Sequence, residues 1–442
     1  MGRFVRVALL ACGFLAVGGT VAWASGLTSF GFVGSDGSIT ACVQNSNGSV
    51  RFTDPSSMRS DLNSCRNSES TVVLNQKGQK GDPGSQGPPG SSPGSAHVMV
   101  DCTAGGSVQQ ALDDNADATS VDIVVKGTCK ESVNIGRDNV SLDAFSAGDG
   151  LAGQNPDQPV LAVEGRRVQI NGLTITGGSG LGVFGGQVQA NNVSISGGSN
   201  ALNVNSGGNA SISTSTLTAT NDVVNAEQGG SVQLNGVTVQ GTSNGFAVAV
   251  GTGGTVSVGQ STISGARDGV IASPGGSAQI NNTTIKNNTE NGLFAFGGSI
   301  QASGGSITGT AGPGVSAYAG GYVDLFSGIR IASNNIGVAT FGGRVLIQNG
   351  VVIENNTGDG LQVSSASSAA VEGPATIQNN AGNGVHIQDN SVASFGPSVQ
   401  ITGNGGWGIF CDGPPSNPLI IGAPDPTDVS PNTSGGINCK HG

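Results

Sequence analysis

The sequence predicts an all-β chain wound as a single-stranded parallel solenoid, and three observations carry that prediction. First, a short pattern returns at a near-constant interval. Aligned on Val168-Gln169-Ile170, it recurs at Val188, Ala210, Val232, Val256, Ala278, Ile300, Val323, Val345, Ala369 and Ala393, mostly 22 residues apart. A fixed period of this length marks a repeat array, in which each unit buries its apolar face only against its neighbours. Second, apolar columns stay in register. Two residues after the start stand Leu142, Ile170, Ile212, Leu234 and their counterparts, and seven or eight after it stand Ile175, Ile195, Leu217, Val239, Ile263 and Ile285. Local alternation, as in Val168-x-Ile170 and Leu173-x-Ile175, is the period of a half-buried strand. Third, a Gly-apolar-x-apolar signal such as Gly269-Val270-Ile271-Ala272 marks another strand, and glycine doublets such as Gly229-Gly230 close the unit.

Three short strands in so few residues leave no room for hairpins inside a unit, but they make one rung of a coil. Each rung lies about 4.8 Å above the last, so the twelve starts counted from Val140 predict a cylinder about 55–60 Å long. A Gly/Ser/Asn linker would not hold isoleucine in register along this whole length.

On these residues the region from Val98 to Cys439 resembles the right-handed parallel β-helix of the pectate-lyase-like superfamily, in its weakly specialised secreted bacterial form. That resemblance, with the general handedness of parallel crossovers, implies a right-handed coil. It rests on architecture alone. Gly-His-Gly and Asp-Pro-His do not occur, and paired aspartates appear only at Asp113-Asp114, so the catalytic motifs of polygalacturonases and alginate epimerases are missing.

Taken in order, residues 1–24 read as a signal peptide: basic Arg3 and Arg6, an apolar run from Val7 to Val17, and Ala22-Trp23-Ala24 before a cleavage at Ser25. A lipoprotein reading through Cys12 has too few apolar residues before the cysteine. Export permits disulfides, and the other six cysteines group locally as Cys42 with Cys65, Cys102 with Cys129 and Cys411 with Cys439. Six cysteines allow fifteen pairings, so the local pairing is an expectation. Residues 25–75 form a small two-cysteine module, resembling one that precedes collagen-like or tail segments in secreted bacterial proteins. Residues 76–96 hold five Gly-x-y triplets from Gly78 to Ser92, a collagen signature that serves as an extended linker or helps to assemble a trimer.

Residues 97–139 are expected to cap the coil. Val98-Met99-Val100 opens as a strand, and Gly105 to Asn115 reads as a lid helix with Ser107 and Gln110 as a capping box. The strands Val121 to Val125 and Val133 to Ile135 follow. Residues 140–417 are the repeats. Within them Asp143 to Pro159 lengthens one rung to 28 residues, and its Asp143, Asp149 and Asp157 suggest a solvated loop or weak calcium binding. Residues 418–442 read as a second cap.

Charged residues are only 10 % of the 442, and the formal net charge is -11. Phosphate backbones are therefore poor partners, and no stretch after the signal reaches the length of a membrane span. The best catalytic patch is Arg267, Asp268, Lys286 and Glu290. Asp268 and Glu290 both lie twelve residues after their starts, which would place them one rung apart, able to share a calcium ion. Asp222 has the same offset, with Asn244 between it and Asp268. The resemblance implies the chemistry: in related lyases acidic residues hold calcium against a uronate carboxylate while Arg or Lys removes a proton. The alternative is a set of turn residues that balance one another's charge. Tyr318, Tyr322, Phe326, Phe341 and Trp407 read as scattered, without a sugar-stacking platform, and His386 as outward with no carboxylate in a matching column.

The reading ranked first is a secreted, non-enzymatic β-helix, a stiff scaffold or adhesin-like module that binds glycans or cell-envelope partners. The second is a polysaccharide lyase, hydrolase or epimerase acting on an acidic polysaccharide. The third is a surface fibre trimerised by the collagen-like segment.

Overall fold

The computed structural model describes residues 32, 34–35, 37–75, 94–413, 417–422, 424–425 and 428–439. The signal-peptide segment and the Gly-x-y triplets lie outside them. The chain divides into two compact units, Met1–Ser91 and Ser92–Gly442.

In the first unit the described residues form a three-stranded antiparallel sheet, in the order Val50–Phe52, Ser38–Gln44, Glu69–Asn75. A one-turn helix, Ser60–Asn63, connects the outer strands. Cys42 is bonded to Cys65, and the Arg51 guanidinium grips both oxygens of Glu69.

The second unit is a parallel β-helix of three sheets. Among the described residues, sheet I has 15 strands, from Ala96–Asp101 to Leu419–Ile421. Sheet II has 13, from Thr128–Cys129 to Val399–Thr402, and sheet III has 14, from Val133–Ile135 to Gly435–Asn438. The start residues of the repeat are register partners: Val168 pairs with Val188, Val188 with Ala210, and so on to Ala393. Inward residues of sheet II, such as Ile175, Ile195, Leu217 and Ile263, form a second stack that is at most 1 % exposed. Each such Ile, Leu or Val contributes roughly 1.5–3 kcal/mol before entropy is counted.

From Asn288 onward a buried polar stack joins the apolar ones. Asn334, Asn356, Asn380 and Asn404 each lie three residues past an inward isoleucine of sheet II and point into the core. The Asn380 side-chain oxygen accepts from the backbone N–H and the amide of Asn356, at 3.1 and 2.8 Å, while its own amide donates to Ile353 O and to Asn404. Asn432 carries the ladder one rung further. The residue before most ladder positions takes the left-handed backbone: Asn287, Ser333, Asn355 and Asn379 all have φ between 55 and 57°. Beside the ladder runs a glycine column, Gly314, Gly337, Gly360, Gly384 and Gly408. A Cβ on Gly360 would stand 2.7 Å from the Asn380 amide nitrogen and 2.5 Å from Ile377.

At the amino end the helix Val108–Asp114 buries Val108, Ala111 and Leu112 against the first strands. The Ser107 hydroxyl accepts from Gln110 N–H as expected. The reciprocal partner is not Gln110, however, but Glu131, which takes the Ser107 hydroxyl and the N–H groups of Val108 and Gln109. Cys102 is bonded to Cys129, and Cys411 to Cys439.

One expectation changes. The lengthened rung is not one loop, because Gly150–Ala152 forms a regular strand of sheet II within it. In the segment read as a second cap, the strand expected at Leu419–Ile421 pairs in sheet I, and Gly435–Asn438 pairs in sheet III.

Candidate functional site

The three outer faces differ in chemistry. Sheet II presents short hydroxyl side chains, with Thr174, Ser194, Thr216, Thr238, Thr262 and Thr284 register partners up the coil. Sheet III instead presents rings. In Asn291–Phe296, Leu293 and Ala295 go into the core, so alternation turns Phe294 and Phe296 out. Pro313–Tyr318 turns Tyr318 out by the same rule, and Ile336–Phe341 does so with Phe341. Register stacks Phe296, Tyr318 and Phe341 on successive rungs. Phe296 and Tyr318 are stacked with centroids 5.7 Å apart, Phe294 lies 6.0 Å from Phe296, and Phe341 lies 6.5 Å from Tyr318. Phe296 is 39 % and Tyr318 45 % exposed. The structure thus overturns the expectation of scattered aromatics. Tyr322 and Phe326 do lie elsewhere, on the sheet I strand Tyr322–Phe326.

Two rungs beyond Phe341, the same face carries a second cluster that sequence reasoning missed. His386 Nδ1 lies 3.0 Å from the Asp359 carboxylate and Nε2 lies 3.1 Å from Asp412. Asp359 sits just before one sheet III strand, His386 within the next and Asp412 just after the third. The other Asp359 oxygen accepts from the backbone N–H and amide of Asn383. The Asp359 carboxylate raises the His386 pKa above its ordinary value, burial opposes the rise, and Asp412 adds to it. Phe410 packs 5.2 Å from the imidazole. Both ring nitrogens are engaged by carboxylates, so the imidazole is tied between rungs rather than presented as a free base.

The patch expected from sequence sits at the other end of this face. Asp268 is 1 % exposed. One oxygen accepts from the backbone N–H and amide of Asn291, at 3.0 and 2.7 Å, and the other meets Arg267 Nε at 3.3 Å. Its register partner is Asn291, one position beyond Glu290, because the turn from sheet II into sheet III is one residue longer in that rung, while the rung as a whole keeps its 22 residues. Asp222 likewise faces Phe246 rather than Asn244, bonding its N–H. Arg267 spans the group, lying 3.7 Å from Glu290 and 4.3 Å over the Phe246 ring. Lys286 ends a sheet II strand, whereas Asp268 opens one of sheet III. Arg267 and Glu290 remain reachable from solvent; Asp268 works as a bracket between rungs.

The aspartates of the lengthened rung are bonded separately. Asp143 accepts from Ser141 and Asn171, and Asp149 from the N–H groups of Gly127 and Ser146. Among the described residues, the His, Cys, Asp and Glu side chains close enough to hold a metal together are Cys42, Cys65 and Glu69. The disulfide removes both thiolates from that group.

Residues 247–422 match the family described as right handed beta helix region. Among solved structures, the A-module of mannuronan C-5 epimerase AlgE6 from Azotobacter vinelandii is similar at 16 % identity and a TM-score of 0.46, over 72 % of this chain and 94 % of that one. The catalytic domain of a GH87 α-1,3-glucanase, in complex with tetrasaccharides, is similar at 13 % identity and a TM-score of 0.45, over 80 % and 71 %. No curated protein matches the chain. The chain is an all-β, right-handed parallel β-helix.

Proposed function

We propose that this protein is an exported, non-enzymatic β-helix that binds a glycan along the outer face of sheet III. The observation that carries the reading is the exposed ring cluster of Phe294, Phe296, Tyr318 and Phe341 on a rigid surface. Sugar rings offer C–H faces that pack on aromatic faces, and the Tyr318 hydroxyl adds a polar handle. A pre-formed site on packed strands needs little ordering before it binds. The four-ring cluster is itself uncharged, and the molecule as a whole is acidic, with a net charge of -11. A neutral polysaccharide therefore suits it better than a polyanion. Three disulfides fit an oxidising compartment, and no helix among the described residues is long and apolar enough to cross a membrane.

The test is affinity electrophoresis and calorimetry of the purified protein against neutral and acidic polysaccharides. Tyr318→Ala and Phe296→Ala should each weaken binding to a neutral glycan about tenfold, the equivalent of one stacking contact. Unchanged affinity in both variants would remove the strip as the site. The second reading, an enzyme on an acidic polysaccharide, draws on Arg267 and Glu290, which stay accessible at the end of the strip. New reducing ends or unsaturated products, formed with calcium and abolished in Arg267→Ala, would favour it.

A further inference from the structure

The three-stranded sheet of the first unit carries a face that the described chain leaves uncovered. Alternation and register place Ile39, Val43, Val50, Phe52, Val72 and Leu74 on one side: Val43 is opposite Val50, and Ile39 opposite Leu74. The other side holds the Cys42–Cys65 bond and the Arg51–Glu69 pair. A small antiparallel sheet ordinarily buries its apolar face against another layer. Here Val50 is 55 %, Phe52 50 % and Leu74 51 % exposed. The outer strand Glu69–Asn75 also leaves an edge free, and among its seven residues stands no Pro or Lys of the kind that blunts edges.

We propose that this face is a trimerisation surface, covered by the same face of two further copies of this chain. The sequence names the occupant. Three residues after Asn75 begin the five Gly-x-y triplets at Gly78, a pattern that acquires its structure only when three chains run together. Five triplets are too few to gather three chains alone, so the gathering falls to what adjoins them. The strand that contributes Val72 and Leu74 leads directly into the first triplet. A closed three-fold arrangement buries each copy's apolar face once and leaves no surface for open-ended growth. The sheet thus acts as the clamp and the triplets extend it. The inference does not depend on the glycan reading.

The test is sedimentation equilibrium of the full chain from Ser25, at low micromolar concentration, with hydrogen exchange on the repeats as a control. The wild type is expected at three times the chain mass. Val72→Lys with Leu74→Lys places charges on two already exposed positions and should give monomer, with exchange in the β-helix unchanged. Gly84→Ala should leave the trimer assembled. A monomeric wild type would mean that the face is covered by the chain's own residues and would overturn the proposal, as would a dimer. A lysine variant that stays trimeric, or a Gly84→Ala variant that alone becomes monomeric, would also overturn it, the latter by showing that the triplets do the gathering.

Discussion

The two halves of the β-helix solve the same turn in different ways. From Asn334 to Asn404, the position three past the inward isoleucine of sheet II is an asparagine turned into the core, and Asn432 continues the stack. In the earlier rungs that position is Gly198, Thr220 and Thr242, and the threonine hydroxyls bond backward along the outside, Thr242 to Thr220 O and Thr220 to Gly198 O. The neighbouring column compensates. Where the asparagines point in, the first core position of sheet III is glycine; in the rungs of Gly198, Thr220 and Thr242 it is Ala201, Val223 and Ala247, all fully buried. One volume is filled either by an amide from one strand end or by an alkyl group from the next. The amide couples each rung to its neighbour by directed bonds, and the alkyl group does so by packing alone.

The sharpest way to break this contrast is to remove one amide. Asn380→Ala strips a buried acceptor from the backbone N–H and amide of Asn356 and a donor from Ile353 O and Asn404. Leaving two buried donors unpaired should cost roughly 2–5 kcal/mol. Thr242→Ala, in the same column of the other half, loses one solvent-side bond and should stay within about 0.5 kcal/mol. Urea unfolding followed by hydrogen exchange in each half separates the two, since a solenoid can open piecewise. Equal effects would mean that the ladder is decoration on an apolar core.

The ladder also shows what kind of feature a sequence reveals. The Val168 and Ile175 columns were legible because inward residues are apolar and the repeat keeps them in phase. Asn356 and Asn380 were not, because asparagine next to asparagine reads as turn chemistry, and nothing in the residue type says that the second one points inward. The aromatic strip was readable in principle: Phe296, Tyr318 and Phe341 each stand 18 residues after their starts at Ala278, Ile300 and Val323. Alignment on apolar columns alone passed over it. The Asp359–His386–Asp412 group has no such signature. Its members stand 14, 17 and 19 residues after Val345, Ala369 and Ala393, and they meet only because side chains reach across columns. Asp268 and Glu290 do lie on adjacent rungs, both beside Arg267, but one extra residue in the turn before sheet III makes Asn291 rather than Glu290 the register partner of Asp268.

A smaller effect separates the halves by pH. The column that holds His386 holds Asn203, Asn225 and Ala249 in the earlier rungs, none of which titrates. His386 has a pKa raised by Asp359 first and Asp412 third, against burial. A raised folded-state pKa means that the folded chain binds the proton more tightly than the unfolded one. The stabilisation is therefore complete below the unfolded value of about 6.5 and is lost as pH rises through the higher folded value. Amides of Val385–Ile387 and Trp407–Cys411 should exchange more slowly at pH 5.5 than at pH 9 after correction for intrinsic rates, while Leu202–Asn205 should not differ. His386→Gln should flatten the difference. A slope that persists in the variant would assign it to another group.

The smallest expected effect would sharpen the comparison from inside the ladder. Thr310 occupies a ladder position between Asn288 and Asn334, and its N–H bonds to Asn334. Its hydroxyl and the Asn288 amide nitrogen are both buried without a partner. The amide stack is thus interrupted at the point where the two architectures meet: Asn288 already bonds Ala266 N–H on the earlier side but reaches nothing on the later one. Thr310→Asn supplies the missing oxygen to Asn288 and a second donor towards Asn334, as Asn356 does for its neighbours. Satisfying one buried donor and replacing an orphaned hydroxyl should raise stability by about 1 kcal/mol, read as a higher urea midpoint at unchanged slope. If the variant is destabilised instead, the space between Asn288 and Asn334 is too small for the amide, and the break reflects packing rather than an unfinished ladder.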